Sequence, residues 1–343
     1  MMETTASPAA PVFVFPGQGS QYPGMGRDLA ACGPVARELA ARAETATGLA
    51  VWELMHRADA AALADPEVAQ VLVFVAGAAH WRAFTERGCR PAAVAGHSLG
   101  EYTALLAAGC LDWEQALSLV HTRGKAMARA ARRTPGAMAA IVGIPAERLE
   151  QMCRQVADRS GQTVVIANHN THRQLVVSGH AEAVELLIAQ ARDAGALRAR
   201  RLPVGGAYHS PLMEPAEREM ASALDRVRLR PPRLPLVSSV TGRQVTDIDA
   251  YRDVLRGQIT APVRWDRCMA ALLEHGARTF IETGPGRVLT GLGRELARQA
   301  KHHSAQQALR MPDLWRPARQ GTAPPLGGGR PGTTPFSTME ARR

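Results

Sequence analysis

Ala92-Ala93-Val94-Ala95-Gly96-His97-Ser98-Leu99-Gly100-Glu101-Tyr102-Thr103-Ala104-Leu105-Leu106-Ala107-Ala108 is the stretch on which the fold turns. It opens with a short apolar run after the breaker Pro91 and closes with a helical pattern. Between them, Gly96-His97-Ser98-Leu99-Gly100 fits Gly-x-Ser-x-Gly. That is the strand-turn-helix elbow which lifts a serine out at the top of a sheet. Glycines two residues either side let the backbone turn without a clash. The helix start points N–H groups and a positive dipole end at whatever the serine attacks. Ser98 is therefore a candidate nucleophile for acyl transfer through an ester, on an α/β fold.

Working outward, Val12-Phe13-Val14-Phe15 before Pro16-Gly17 reads as a first buried strand. Residues 27–56 and 66–87 read as helices, the second apolar on nearly all faces. Asp112 is positioned to cap a helix over 113–132. The texture then changes. Strand 137–142, helix 145–158, strands 164–168 and 174–179, helix 181–194 and strand 200–204 follow in the order β-α-β-β-α-β. That is the ferredoxin-like split pattern, and it predicts a small subdomain inserted at 134–204. The α/β pattern resumes with helix 211–227, strand 236–239, helix 262–275, strand 278–282 and a helix from 287 to 300. This divides the chain into a larger unit, 12–133 with 205–300, and the insert. From 301 to 343 the chain is rich in Pro, Gly, Arg and Thr without periodicity and reads as a disordered basic tail.

With 343 residues, 46% of them hydrophobic, the chain can bury a large core, and aromatics at 4% make that core aliphatic. No apolar stretch approaches the roughly 20 residues of a membrane helix, and Met1-Met2-Glu3-Thr4-Thr5 lacks the basic and apolar regions of a secretory signal. Cys32, Cys89, Cys110, Cys153 and Cys268 are scattered and unpaired in spacing. They read as reduced residues of a cytoplasmic protein, not as metal ligands. The net charge of +10 is not accompanied by a helix-turn-helix, a zinc finger or aromatic-interleaved basic pattern, so nucleic acid is not expected as a partner. An acidic protein or a phosphate-bearing small molecule accounts for the charge.

Ser98 needs a base. His209, in the Gly-rich loop Gly205-Gly206-Ala207-Tyr208-His209-Ser210-Pro211, is placed to aim into a cleft, though a solvated loop histidine would look the same. His97, His121, His169 and His172 compete for the role. Arg123, in His121-Thr122-Arg123-Gly124-Lys125-Ala126-Met127, offers a planar fork to a carboxylate or is an ordinary helix-surface arginine. The loop Pro16-Gly17-Gln18-Gly19-Ser20-Gln21 lacks the Gly-Lys-Ser/Thr of a P-loop. A backbone N–H there could join that of Leu99 in an oxyanion hole.

These pieces together resemble the malonyl-CoA:acyl-carrier-protein transacylases of fatty-acid and polyketide synthesis. The likeness runs from about 12 to 298, through Phe15-Pro16-Gly17-Gln18-Gly19-Ser20-Gln21, Gly96-His97-Ser98-Leu99-Gly100-Glu101-Tyr102, Arg123-Gly124-Lys125-Ala126-Met127, Gly136-Ala137-Met138-Ala139-Ala140, Tyr208-His209-Ser210-Pro211-Leu212-Met213, Pro262-Val263-Arg264-Trp265 and Glu282-Thr283-Gly284-Pro285-Gly286. The resemblance implies an α/β-hydrolase-like large subdomain carrying the ferredoxin-like insert. It implies Ser98 as the acylated nucleophile, His209 as its base, and Gln258 as the residue whose carbonyl orients the histidine. Gln18 and Leu99 would supply the oxyanion N–H groups, and Arg123 would hold the malonyl carboxylate. Leu99 with Ala207-Tyr208-His209 is similar to malonyl-selective members, and Gln70, Tyr208 and Asn168 fall around the substrate pocket. Gln70 departs from the family in being followed by Val71-Leu72 instead of Pro-Ala. The implied reaction is ping-pong transfer from malonyl-CoA to the phosphopantetheine thiol of an acyl carrier protein. Neither a cofactor nor a metal is implied, CoA thioester being the substrate. Carrier proteins are generally acidic, so the positive charge would speed encounter. The competing expectations are a carrier thioester hydrolase and a catalytically idle carrier-binding protein.

Overall fold

Val12-Phe13-Val14-Phe15 is apolar at every position because both of its faces are covered. In the computed structural model, which describes residues 10–314, this run is β1 (Val12–Phe15), the central strand of a five-stranded sheet. Phe13 and Phe15 pack into one hydrophobic cluster, and Val12 and Val14 into another on the opposite face. The pleat of a strand requires that alternation.

A 3-10 turn (Met25–Cys32), α1 (Pro34–Thr47) and α2 (Val51–Arg57) stand where one helix over 27–56 was expected. Gly33 and Gly48, at φ 68° and 74°, break the run. α3 (Pro66–Glu86) starts at Asp65, whose side chain accepts the Glu67 N–H at 2.7 Å. α3 also corrects an expectation. It is long and apolar enough to cross a membrane, with a mean hydropathy of 1.2, yet 78% of its most apolar window is buried inside the protein. Its neighbours α1, α4 (Gly100–Ala107) and α5 (Trp113–Arg133) leave it little polar surface. A helix that is hydrophobic all round is what such a central position demands.

β2 (Ala93–Gly96) runs parallel to β1 and delivers the chain to Ser98 and α4. A Cβ at Gly100 would lie 2.0 Å from the Phe15 carbonyl oxygen, and one at Gly96 2.0 Å from the Gly100 carbonyl carbon. Both glycines of the elbow are thus obligatory on steric grounds alone.

A separate antiparallel sheet follows. β3 (Gly136–Val142), α6 (Ala146–Ser160), β4 (Val164–His169), β5 (Gln174–His180), α7 (Ala181–Asp193) and β6 (Arg198–Arg201) give the strand order β4-β5-β3-β6. α6 and α7 cover one face through Ile141, Leu149, Val156, Val177 and Leu187. β6 ends before Pro203 and lies two residues earlier than the 200–204 expected for it, since proline cannot supply a ladder N–H. The antiparallel sheet is tied to the segment leading into the helix that starts at Trp265 by Val263, which donates to the Ala167 carbonyl and accepts from the His169 N–H, both at 2.8 Å.

The chain then returns to the large sheet through α8 (Glu214–Asp225), β7 (Leu236–Val237), α9 (Ile248–Arg256), α10 (Trp265–Glu274), β8 (Thr279–Glu282) and α11 (Val288–Leu296). The expected helix at 211 opens as a 3-10 turn, Pro211–Met213, and the one expected from 262 starts at Trp265. α9 is an element the apolar pattern does not announce, since its buried side chains are only Tyr251 and Leu255. The reading of everything after 300 as a disordered tail is corrected for 301–314. β9 (Lys301–Ser304) pairs parallel to β8, and Ser304 caps α12 (Ala305–Leu309). His302 explains this order: it stacks on Phe280 with ring centroids 5.0 Å apart and donates from Nε2 to the Ala297 carbonyl at 3.0 Å. The remainder of the expected tail, 315–343, lies outside the described residues. The finished sheet, β7-β2-β1-β8-β9, is parallel throughout.

Candidate active site

Ser98 and His209 are the two non-glycine residues with positive φ among the described residues, at 53° and 57°. One stands at the tip of β2 and the other in the turn leaving β6. Strain at such positions is held only when surrounding contacts over-determine it. For His209 those contacts are a backbone N–H bond to the Ile259 carbonyl at 3.0 Å and two bonds from the ring. Nδ1 lies 2.9 Å from the Ala261 carbonyl and 3.1 Å from that of Gln258. Carbonyl oxygens only accept, so Nδ1 carries the proton and Nε2 presents its lone pair. That lone pair lies 2.7 Å from Ser98 Oγ.

Burial, and then the charge on Arg123, push the His209 pKa from the ordinary 6.5 down to about 3, against the two carbonyl bonds. The imidazole is therefore neutral at pH 7, with Nε2 free to accept a proton. A rate that needs this base falls only when the ring is protonated. We expect the acidic limb of kcat/KM for the first half-reaction to lie well below pH 6.5, tested by a pH profile with a fast-quench readout. A limb at 6.5 or above would place an ordinary, solvated histidine at this step.

Arg123 projects from α5 and is 1% exposed. Nη1 donates to Gln70 Oε1 at 2.8 Å, Nη2 donates to Ser98 Oγ at 3.0 Å, and Nε has no partner. Its guanidinium lies over the Tyr102 ring at 5.8 Å. Burial lowers its pKa, opposed mainly by Tyr102 and Glu101. No carboxylate reaches it within ion-pair distance among the described residues. Gln70, fully buried on α3, also donates to Gln18 Oε1 at 3.2 Å and so fixes both the guanidinium and the Gln18 loop.

The N–H groups of Gln18 and Leu99 donate to no acceptor among the described residues. Gln18 lines, with Ser98, Arg123, Tyr208 and Asn168, a cavity of about 560 Å³ between strands of the antiparallel sheet and the loops that follow β1 and β2. Burial raises the Tyr208 hydroxyl pKa to about 12, so it stays protonated.

The other histidines do not reach Ser98. His97 donates from Nε2 to Asn170 Oδ1 at 3.0 Å, and Asn170 in turn donates to Gln174. His121 pairs with Glu67 at 3.2 Å, and His169 and His172 line a different cleft between α6 and α10. Among the described residues no three of His, Cys, Asp and Glu are grouped to hold a metal ion.

Sequence reasoning passed over Glu101. Fully buried on α4, it accepts from the Ser239 N–H (2.9 Å), the Ser239 hydroxyl (2.6 Å), Tyr251 (2.5 Å) and Gln258 Nε2 (2.6 Å). Gln258 Nε2 also donates to the Ser98 carbonyl at 3.1 Å, and the Gln258 backbone carbonyl faces His209 Nδ1, so this one residue touches both halves of the Ser98–His209 pair. The available signal was a carboxylate inside an otherwise apolar helix pattern. Ala261, whose carbonyl is nearer to His209 than that of Gln258, carries no side-chain signal at all.

The acyl transferase domain model matches residues 12–318. The chain belongs to that family. This acyltransferase is 40% identical over 285 residues to the malonyl CoA-acyl carrier protein transacylase of Escherichia coli K12, covering 83% of this chain and 92% of that one. It is 39% identical over 289 residues to the Bacillus subtilis protein of the same name, covering 84% and 91%. Among solved structures, the malonyl CoA-acyl carrier protein transacylase of Coxiella burnetii superposes with a TM-score of 0.85 at 34% identity, over 90% of this chain and 99% of that one. A malonyl-transacylase in complex with a type II PKS acyl-carrier protein superposes with a TM-score of 0.82 at 36% identity, over 88% and 99%. The resemblance drawn from the sequence motifs is borne out.

Proposed function

We propose that this acyltransferase moves a malonyl group from malonyl-CoA to the phosphopantetheine thiol of an acyl carrier protein through an ester on Ser98. Arg123 carries the reading. A buried guanidinium without a carboxylate partner is costly to maintain, and one that touches the nucleophile has a use when the acyl group itself brings a carboxylate. The names and partners of the relatives point to the same donor and acceptor.

In this mechanism Ser98 Oγ attacks the thioester carbonyl and passes its proton to Nε2 of His209. The N–H groups of Gln18 and Leu99 hold the tetrahedral oxyanion. Collapse breaks the C–S bond, and CoA leaves with the proton returned by His209. The carrier thiol then gives its proton to His209, attacks the ester and regenerates the serine. The Ala261 and Gln258 carbonyls hold the imidazole in its working tautomer, so no acidic third member is needed. Gln70 holds Arg123 in place, while Tyr208 and Asn168 shape the pocket. We assign residues 134–204 to a ferredoxin-like insert in an α/β-hydrolase-like larger subdomain, supported by the order β4-β5-β3-β6 and its wholly antiparallel pairing. Five free, buried cysteines favour a cytoplasmic setting.

Intact-protein mass spectrometry tests the reading. After brief exposure to equimolar malonyl-, methylmalonyl- and acetyl-CoA, the expected result is a malonyl adduct on Ser98 that moves to added holo-carrier. Loss of the adduct to water at one rate with or without carrier identifies a hydrolase instead. No adduct from any donor identifies an idle binding protein.

A further inference from the structure

β6 reads Arg198-Ala199-Arg200-Arg201 and is an edge strand, paired among the described residues only with β3. Strand alternation sorts its side chains between two faces. Ala199 lies opposite Ile141 in the core beneath α7, and Arg201 pairs with Glu185 of α7. Arg198 and Arg200 stand on the other face. Arg200 lies directly opposite Ala140, and both line the cavity that holds Ser98 and His209. Arg198 and Arg200 are exposed, and neither side chain forms a hydrogen bond or ion pair among the described residues. Beyond Arg200 the cavity wall continues through Leu202 and Val204 to Tyr208 and His209. One exposed cation, Arg200, thus gives way along the cavity wall to apolar side chains and then to Ser98 and His209.

Edge strands often carry charge to block pairing with other chains. That role does not require an arginine inside the cavity wall. A CoA thioester has the matching layout, with phosphates at one end, a long neutral arm and the acyl group at the other end. We propose that Arg200, with Arg198 beside it on the same face, binds the phosphates of the CoA moiety while the thioester reaches Ser98. This rests on the reading of a CoA thioester as donor. The guanidinium fork suits phosphate oxygens. Same-face neighbours on a strand stand roughly 7 Å apart, close enough to share one diphosphate.

The test compares malonyl-CoA with malonyl-pantetheine, which keeps the acyl group and arm but has no phosphate. Arg200→Ala is expected to raise KM for malonyl-CoA about tenfold, the scale of one lost charge-assisted hydrogen bond, with kcat unchanged. Arg200→Glu raises it further, Arg198→Ala acts in the same direction, and Arg201→Ala, on the α7 face, has no effect. Malonyl-pantetheine is used equally well by all of these proteins. Equal losses with both donors, or none with either, overturn the proposal. So does slower transfer from malonyl-Ser98 to holo-carrier with malonyl-CoA unaffected, because the arginines would then serve the carrier. Failure of malonyl-CoA to acylate the unaltered protein would instead strike at the malonyl-transfer reading itself.

Discussion

Ser98→Ala is expected to remove the acyl-enzyme and lower transfer by about 10⁴-fold or more, as loss of a nucleophile does elsewhere. The argument is geometric. Among the described residues, Ser98 Oγ is the hydroxyl that meets the His209 lone pair, at 2.7 Å. Ser20, which lines the same cavity, donates its hydroxyl to the Gly17 carbonyl instead. Alanine at φ 53° keeps the backbone strain, so Ser98→Gly, which tolerates that region, is the paired control. Both variants should fold, with thermal unfolding as the check, and neither should gain malonyl mass. A full-rate adduct on Ser98→Ala would place the nucleophile elsewhere.

Arg123→Ala is expected to lower kcat/KM for malonyl-CoA by about 10²–10³-fold while sparing or improving acetyl-CoA. That is the scale of two lost charge-assisted bonds. The variant also removes the charge that helps depress the His209 pKa, so the acidic limb should move upward in pH. Arg123→Ala leaves Gln70 without one partner, so Arg123→Gln serves as a second, better-filled variant. Equal loss for malonyl and acetyl groups, with no pH shift, would mean that Arg123 organises the fold and does not hold the carboxylate.

The elbow was legible because everything it needs is local: a short strand, glycines that cannot carry a Cβ, a serine and a helix. The β-α-β-β-α-β order of the insert was legible for the same reason, since each of its elements keeps its own periodicity. The pairing of Ser98 with His209 spans 111 residues. No spacing encodes that contact; the Gly-rich loop before a helix made His209 the best candidate base, but a solvated loop histidine would look the same. Arg123 was equally opaque, because an arginine on a helix looks alike in sequence whether it faces solvent or a nucleophile. The tail after 300 misled because β9 is short and polar. Its order comes from pairing with β8 and from His302 on Phe280, both long-range. α3 misled in the other direction. Its apolar residues are interrupted in sequence by Gln70, Gly77 and His80, which the packed helix also buries.

Ser98 and His209 share positive φ, and that has a consequence for how this protein can change. Each such conformation costs a non-glycine residue on the order of 1–2 kcal/mol. A glycine at either position would relieve that strain and remove the side chain on which the proposed mechanism depends. On the proposed mechanism, selection for heat resistance alone pulls this molecule toward an inert form, because the two strained non-glycine positions among the described residues are those that its chemistry would require to stay tense.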